Sequence, residues 1–237
     1  MYDTVFLSDV HLGTAQCNTD KLLPFLTGLE TRKLVLVGDI VDIYSMQKYG
    51  QRWNREHTAC ARAILDMAGR GVEIVYILGN HEQDFRSYIG FTHDNISVVH
   101  EYVHVDSTGR KYLCLHGDEY SRFSSGSWKQ LLFMKGYEYV SPLNRLFKSL
   151  FNFSLVNYLK NLPDARRFIA KYENDIYLHA YQQCRYDEVY DGVICGHIHH
   201  PAIRIMDDNF LYACCGDWVD SCTALLEKNG IYCIEKY

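Results

Sequence analysis

Thr4-Val5-Phe6-Leu7-Ser8-Asp9-Val10-His11 is the first apolar run of the chain, and it closes on two side chains able to bind a metal. The aliphatic and β-branched residues at 4–7 read as a buried strand, and the polar pair follows where a strand gives way to a loop. The device recurs twice. Residues 34–37 lead into Gly38-Asp39-Ile40-Val41-Asp42, and residues 73–78 lead into Gly79-Asn80-His81-Glu82. Helix-like stretches at 19–30 and 55–70 separate the runs, so the early sequence spells βαβαβ. Such alternation predicts a largely parallel sheet with right-handed crossovers, whose ligands gather beyond the carboxyl ends of the strands.

Beyond Asn95 the rhythm changes to short strands at 97–99, 102–105 and 111–115, with Asp106-Ser107-Thr108-Gly109 as a hairpin turn. A second sheet is expected to begin there. Strands resume at 192–195, 202–206, 210–214, 224–227 and 231–234, the last two joined by Asn229-Gly230, a type I′ signal. Two sheets packed face to face and covered by helices make a four-layer α/β/β/α sandwich. Between them, Leu143, Leu146, Phe147, Leu150, Phe151 and Leu155 follow three- and four-residue spacing. The expectation is a single domain over 1–237 with a helical cap inserted at about 121–190.

The chain has 237 residues, 48% of them hydrophobic, which is ample for one large core and argues against disorder. Its nine cysteines are odd in number and scattered, and Cys195, Cys214, Cys215 and Cys233 sit in apolar runs. That pattern suits buried reduced thiols and a reducing compartment rather than a disulfide framework. The N-terminus lacks the basic flank and apolar stretch of a signal peptide, and no run is long enough to span a bilayer. A cytoplasmic location is therefore expected. The net charge of −5 disfavours broad attraction to nucleic acid. Against that background, residues 121–171 hold nine Lys or Arg and two acids, together with ten aromatics.

Two further segments complete the polar set: His116-Gly117-Asp118 and Gly196-His197-Ile198-His199. Hard oxygen donors and imidazoles at five loop positions are what a pair of divalent cations needs, with positions left open for a phosphate. Asp9 and His11, two apart, are expected to project the same way from an extended loop, as are His197 and His199. Asn80 suits a site that must limit its own negative charge before accepting a phosphate. Taken singly, each His or Asp is more often a capping or structural residue; five in this order are not.

The ordered set Asp-x-His, Gly-Asp-x-x-Asp, Gly-Asn-His-Glu, His and Gly-His-x-His resembles the calcineurin-like metallophosphoesterase superfamily, over all of the chain except the insert. The resemblance implies two divalent cations, with Asp9, His11 and His199 on one, Asn80, His116 and His197 on the other, and Asp39 bridging. It implies His81 as a catalytic histidine that is not a ligand, and Asp42 as the carboxylate orienting it. An imidazole held by a carboxylate has a fixed tautomer and a proton to give, which agrees with that role. Mixed His, Asp and Asn ligation accommodates Mn, Fe or Zn, and the resemblance points to Mn2+.

Within the superfamily, Ser8-Asp9-Val10-His11-Leu12-Gly13, Leu115-His116-Gly117-Asp118 and Gly216-Asp217-Trp218-Val219-Asp220-Ser221-Cys222 resemble the UDP-2,3-diacylglucosamine pyrophosphatases and their relatives. That implies cleavage of a nucleotide-linked lipid diphosphate to UMP and a lipid sugar phosphate at the inner face of a cell membrane. The basic, aromatic insert would then be a lid in peripheral contact with the membrane. Asn80, His81, Arg166 and Arg167 are expected to meet the substrate. His81 stands where the strict pyrophosphatases have Arg, and Glu82 where relatives have Asp. Gly-Asn-His-Glu also occurs in serine/threonine protein phosphatases, but Ile43-Tyr44 departs from their Arg-Gly. A broader metallophosphodiesterase or a nuclease of the same superfamily is the alternative, and a non-catalytic scaffold is a weaker one.

Overall fold

The computed structural model describes residues 1–121, 163–186, 190–205 and 209–237. They fall into two compact units, Met1–Asp118 with Ala180–Tyr237, and Glu119–His179. The first is built on two sheets flanked by helices.

The larger sheet begins with β1 (Tyr2–Leu7), β2 (Thr31–Val37) and β3 (Glu73–Ile77), joined through α1 (Thr19–Gly28) and α3 (Arg55–Gly69). The three strands pair in parallel, in the order β1-β2-β3. A short helix, α2 (Ile43–Tyr49), precedes α3. Local chemistry starts and stops these helices. Asn54 accepts from the backbone N–H of His57 while the His57 ring accepts from that of Asn54, a reciprocal cap on α3. Asp42 accepts from Ser45 N–H and Gly50 takes the left-handed conformation, so both ends of α2 are capped.

The sheet continues through β5 (Ile96–Val99), parallel to β3, with β4 (Thr92–His93) as its edge. The strand at 97–99 therefore extends the first sheet and does not open the second. Its register, Ile77 opposite Val99, repeats the parallel crossover already established, now through the 3-10 segment Asn80–Tyr88. The final hairpin, β11 (Thr223–Lys228) and β12 (Ile231–Lys236), also returns here, β11 running antiparallel to β1. Asn229 and Gly230 both have positive φ, as a type I′ turn requires.

The second sheet runs β6 (Tyr102–Val105), β7 (Lys111–Cys114), β8 (Gly192–Cys195), β10 (Leu211–Cys214) and β9 (Ala202–Ile205), with β7, β8 and β10 parallel. Strand alternation divides the core. Val5 and Leu7 face the helices with Leu22, Leu26, Met67 and Trp218, whereas Phe6, Val35 and Val75 face Tyr112, Ile194 and Ala213 of the second sheet. Each such fully buried side chain contributes roughly 1.5–3 kcal/mol. On the far side, the C-terminal turns of the helix Pro163–Tyr186 bring Tyr181 edge-on to Phe210, with ring centroids 5.1 Å apart.

All nine cysteines are free and eight are buried; Cys233 is exposed, since it lies on the edge strand β12. No helix among the described residues is long and apolar enough to cross a membrane. The apolar stripe from Leu143 to Leu155 and six of the nine insert cations lie outside the described residues. Arg166 and Arg167 are both exposed on the helix Pro163–Tyr186.

Candidate metal centre

Five loops leave the carboxyl ends of β1, β2, β3, β7 and β8, and the backbone knits several of them together. Asp9 N–H donates to Gly38 O at 3.1 Å, His11 to Asp39 O at 2.9 Å, and Gly196 to His116 O at 2.9 Å. The parallel ladder is thus carried past the strand ends into the site.

The loops are not extended. Asp9, His11, Asp39, His197 and His199 have φ of 51, 55, 53, 69 and 51°. Each is a non-glycine residue in the left-handed region, a conformation that costs free energy and concentrates at functional sites. Same-side projection of Asp9 with His11 therefore comes from alternate left-handed residues in a tight loop, not from strand pleating. His197 and His199, by contrast, are expected from their spacing to project the same way and instead reach different clusters. The neighbouring glycines are required by contact: a Cβ on Gly38, itself at φ 78°, would collide with the His116 ring, and one on Gly79 with the Asp39 carboxylate.

Two clusters of donor atoms result. Asp9 Oδ1 lies 3.2 Å from His199 Nε2 and 3.9 Å from His11 Nε2. Asp39 Oδ2 lies 3.3 Å from His116 Nε2, which is 3.2 Å from Asn80 Oδ1, and His197 completes that group. Asp39 also belongs with His11 and His81, so it stands between the two clusters. All seven residues expected as ligands are brought together, with His81 and Asp42 beside them.

The hydrogen bonds select which atom of each residue faces inward. Asp9 Oδ2 contacts the Ser8 hydroxyl and accepts from His197 N–H at 2.8 Å, while Oδ1 makes no hydrogen bond despite its burial. His116 Nδ1 is 3.0 Å from Val37 O, an acceptor only, so Nδ1 carries a proton and Nε2 is the nitrogen that points inward. His11 Nδ1 is held by Asp42 Oδ2 at 2.8 Å, which leaves a buried, unpartnered Nε2. A carboxylate or carbonyl behind the imidazole is the usual support of a metal-binding histidine. These orphaned atoms, of hard oxygen and imidazole type, fit divalent cations.

Charge follows from burial and neighbours. Burial alone would raise the Asp9 and Asp39 carboxyls, but His199 and His116 hold Asp9, and His116, His81 and His11 hold Asp39, below the usual carboxylate range. Burial would lower His116, and Asp39 and Asp9 raise it instead. His197 is pushed down to about 4 by burial and by the charge of His116. His81, despite burial, is raised to about 9 by Asp42 and Asp39. Its Nδ1 is 2.7 Å from Asp42 Oδ1 and its Nε2 is 3.8 Å from Asp39 Oδ2, so Nε2 faces the centre, while the side chain as a whole is 24% exposed.

Three residues that the sequence motifs contain, without a role assigned to them, prove to support the site. Glu82 is fully buried, and its carboxylate accepts from the backbone N–H groups of Gly79, Asp39, Ile40 and Val41, and from the Tyr76 hydroxyl. It thereby fixes the Asp39 loop, through charged hydrogen bonds each worth about 1.5–3 kcal/mol. Asp217, buried after β10, accepts from Val219, Asp220 and Ser221 N–H and places Oδ2 3.9 Å from His199 Nδ1. Ser8, between Asp9 and Val37 O, is the third. Only Asp217 had a signal of its own, a Gly-Asp pair after an apolar run, as at Gly38-Asp39.

The family model for calcineurin-like phosphoesterases matches residues 3–201. No curated protein matches the chain. Among solved structures, the chain is similar to an archaeal phosphodiesterase at 13% identity and TM-score 0.44, covering 99% of each chain. It is similar to a dimetal phosphatase from Danio rerio at 10% identity and TM-score 0.48, covering 99% of this chain and 95% of that one. For vacuolar protein sorting 29 from Cryptosporidium parvum the values are 9% and 0.46, covering 100% and 97%.

Proposed function

Since the chain belongs to the calcineurin-like phosphoesterase family, we propose that this metal-dependent phosphoester hydrolase cleaves the diphosphate of a nucleotide-linked lipid such as UDP-2,3-diacylglucosamine. The observation that carries the hydrolytic reading is the pair of donor clusters joined at Asp39. In this reading Asp9, His11 and His199 hold one divalent cation, Asn80, His116 and His197 the other, and Asp39 faces both; Mn2+ suits this donor set. When bound, two such cations would supply Lewis acidity toward a phosphoryl group and acidify a water. His81, whose proton affinity is raised by the Asp42 carboxylate on its Nδ1, would donate from Nε2 to a phosphoryl oxygen or to the leaving group. Asp42 keeps its Nδ1 proton in place.

The substrate rests on the resemblance of the three quoted segments and on the basic, aromatic insert, in which Arg166 and Arg167 are candidate phosphate contacts. An apolar spacing within a basic stretch of sequence suits a lipid with a phosphate head at an anionic surface, and peripheral membrane contact goes with it. The test is hydrolysis of UDP-2,3-diacylglucosamine by Mn2+-loaded protein, with products read by mass spectrometry. UMP and the lipid sugar phosphate are expected. Replacing Leu146, Phe147 and Leu150 with polar residues should then impair that reaction more than hydrolysis of a small chromogenic phosphodiester. Turnover of the lipid no faster than of the small diester would reduce the reading to a broad phosphodiesterase.

A further inference from the structure

α2 is a helix without a core. None of its seven residues is buried, and a helix this short does not hold itself together in water. It is held instead by the active-site loops. Asp42, which bonds His11 and His81, also caps it, and Gln47 Nε2 donates to Asp84 Oδ2 at 2.6 Å, pinning α2 to the segment that carries His81. The result is that Tyr44 lies edge-on to His81, with ring centroids 5.4 Å apart and planes at 77°. His81 in turn stands edge-on to His11 at 4.9 Å. A row of rings therefore runs from a ligand-type histidine, through the proton-carrying histidine, to a tyrosine at the mouth of the site.

That tyrosine is 40% exposed, and Tyr49, with its centroid 6.3 Å away, is 48% exposed. Lys48 bonds the Tyr44 hydroxyl and holds its ammonium 4.6 and 5.0 Å from the two ring centroids. Exposed tyrosines are common on any surface and usually mean nothing. Here the ring abuts His81, is clamped at its hydroxyl end by a cation, and belongs to an element with no fully buried side chain.

We propose that Tyr44 and Lys48 form a subsite for the nucleotide half of the substrate, Tyr44 stacking the planar base and Lys48 offering positive charge to its phosphate. This rests on the nucleotide-linked reading above and names where the nucleotide goes. Stacking of a base on an aromatic side chain strengthens binding by roughly five- to a hundred-fold and tolerates any base. Tyr44 is a positioning residue: it places phosphorus against the metal centre and His81 and takes no proton.

The experiment uses the metal-loaded full chain and two ligands that differ only by the base, UMP and ribose 5-phosphate, with Kd measured by calorimetry. Wild type should bind UMP roughly ten-fold more tightly than ribose 5-phosphate, the span that one stacked base predicts. Tyr44→Leu should close that gap and Tyr44→Phe should keep it. Lys48→Met should weaken both ligands alike and make binding less sensitive to salt. A wild type that does not distinguish the two ligands, or a gap that survives in Tyr44→Leu, overturns the subsite. Thermal melts of each variant separate these outcomes from misfolding. The lipid reading fails on a different result: a closed gap in Tyr44→Leu together with no hydrolysis of the UDP-linked lipid leaves the nucleotide subsite standing with another leaving group.

Discussion

Asp42 accepts from two imidazoles at once, His11 on Oδ2 and His81 on Oδ1, and from Ser45 N–H. A residue expected to orient the catalytic histidine alone therefore supports a ligand-type histidine as well. The consequence separates two substitutions. On the proposed role of His81 as a proton donor and not a ligand, His81→Ala should lower kcat by roughly 10²–10⁴ with metal content unchanged; loss of metal would move His81 into the ligand set. Asp42→Asn has only one oxygen for two ring N–H groups, so it should lower turnover and also weaken metal affinity by about 10–100-fold. Elemental analysis after dialysis against graded metal concentrations, beside steady-state kinetics, checks both. Full metal affinity in Asp42→Asn would mean that His11 does not need its carboxylate.

At the scale of elements, β6 carries a liability in the core. His104 lies between Phe6, edge-on at 5.2 Å, and Tyr112, stacked at 6.2 Å, and neither of its ring nitrogens makes a hydrogen bond. Burial and the charge of Lys33 push it down to about 4, against the opposing pull of Asp106; Glu227 Oε2 is 3.9 Å from its Nε2. A histidine with a folded pKa near 4 and an unfolded one near 6.5 takes up its proton first in the unfolded chain. Its neutral form thus favours the fold above about pH 6.5, and that contribution is lost as pH falls to about 4, a change of order 3 kcal/mol. His104→Phe keeps the ring contacts and removes the proton site. Urea unfolding at pH 7 and pH 4.5 should show a smaller loss of stability in the variant than in wild type; equal losses would place the acid sensitivity elsewhere.

For the whole molecule, the centre gathers loops from both sheets around two nearly inaccessible carboxylates, Asp9 and Asp39. The imidazoles of His199, His116, His81 and His11 offset part of that buried negative charge, and inward-facing atoms such as Asp9 Oδ1 and His11 Nε2 are buried without a hydrogen-bond partner. Cations that bind only the folded chain stabilise it by mass action, by about 2.7 kcal/mol at a hundred-fold excess over Kd. Chelation should therefore lower Tm by several degrees, and Mn2+ should restore it. Asp39→Asn, which removes the charge facing both clusters, should abolish that restoration. Calorimetric scans with and without chelator test this, and a Tm indifferent to metal in wild type would rule out coupling between the centre and the fold.

How much of this was legible in the sequence depends on the range of the forces involved. Residues 4–7, 34–37 and 73–78 read as strands because burial on both faces demands unbroken apolar runs, and Asn229-Gly230 read as a turn because two adjacent positive φ angles favour those residues. The donor set was legible because metal chemistry is carried by residue type, and Asp, Asn and His at strand ends are few. What lay beyond reach is whatever pairing at a distance decides. β5 joins β3, and the last hairpin closes on β1, through hydrogen bonds between segments that carry no mark of each other. The left-handed backbone at Asp9, His11, Asp39, His197 and His199 is imposed by the ladder between loops, against the preference of each residue. Glu82 became the keystone of the Asp39 loop, and Tyr44 the neighbour of His81, only once folding had turned four backbone donors and one imidazole toward them. The sequence by itself determined which groups could do the chemistry; the tertiary structure decided which atom of each faces the centre, because that choice is made by partners that folding alone brings within hydrogen-bonding distance.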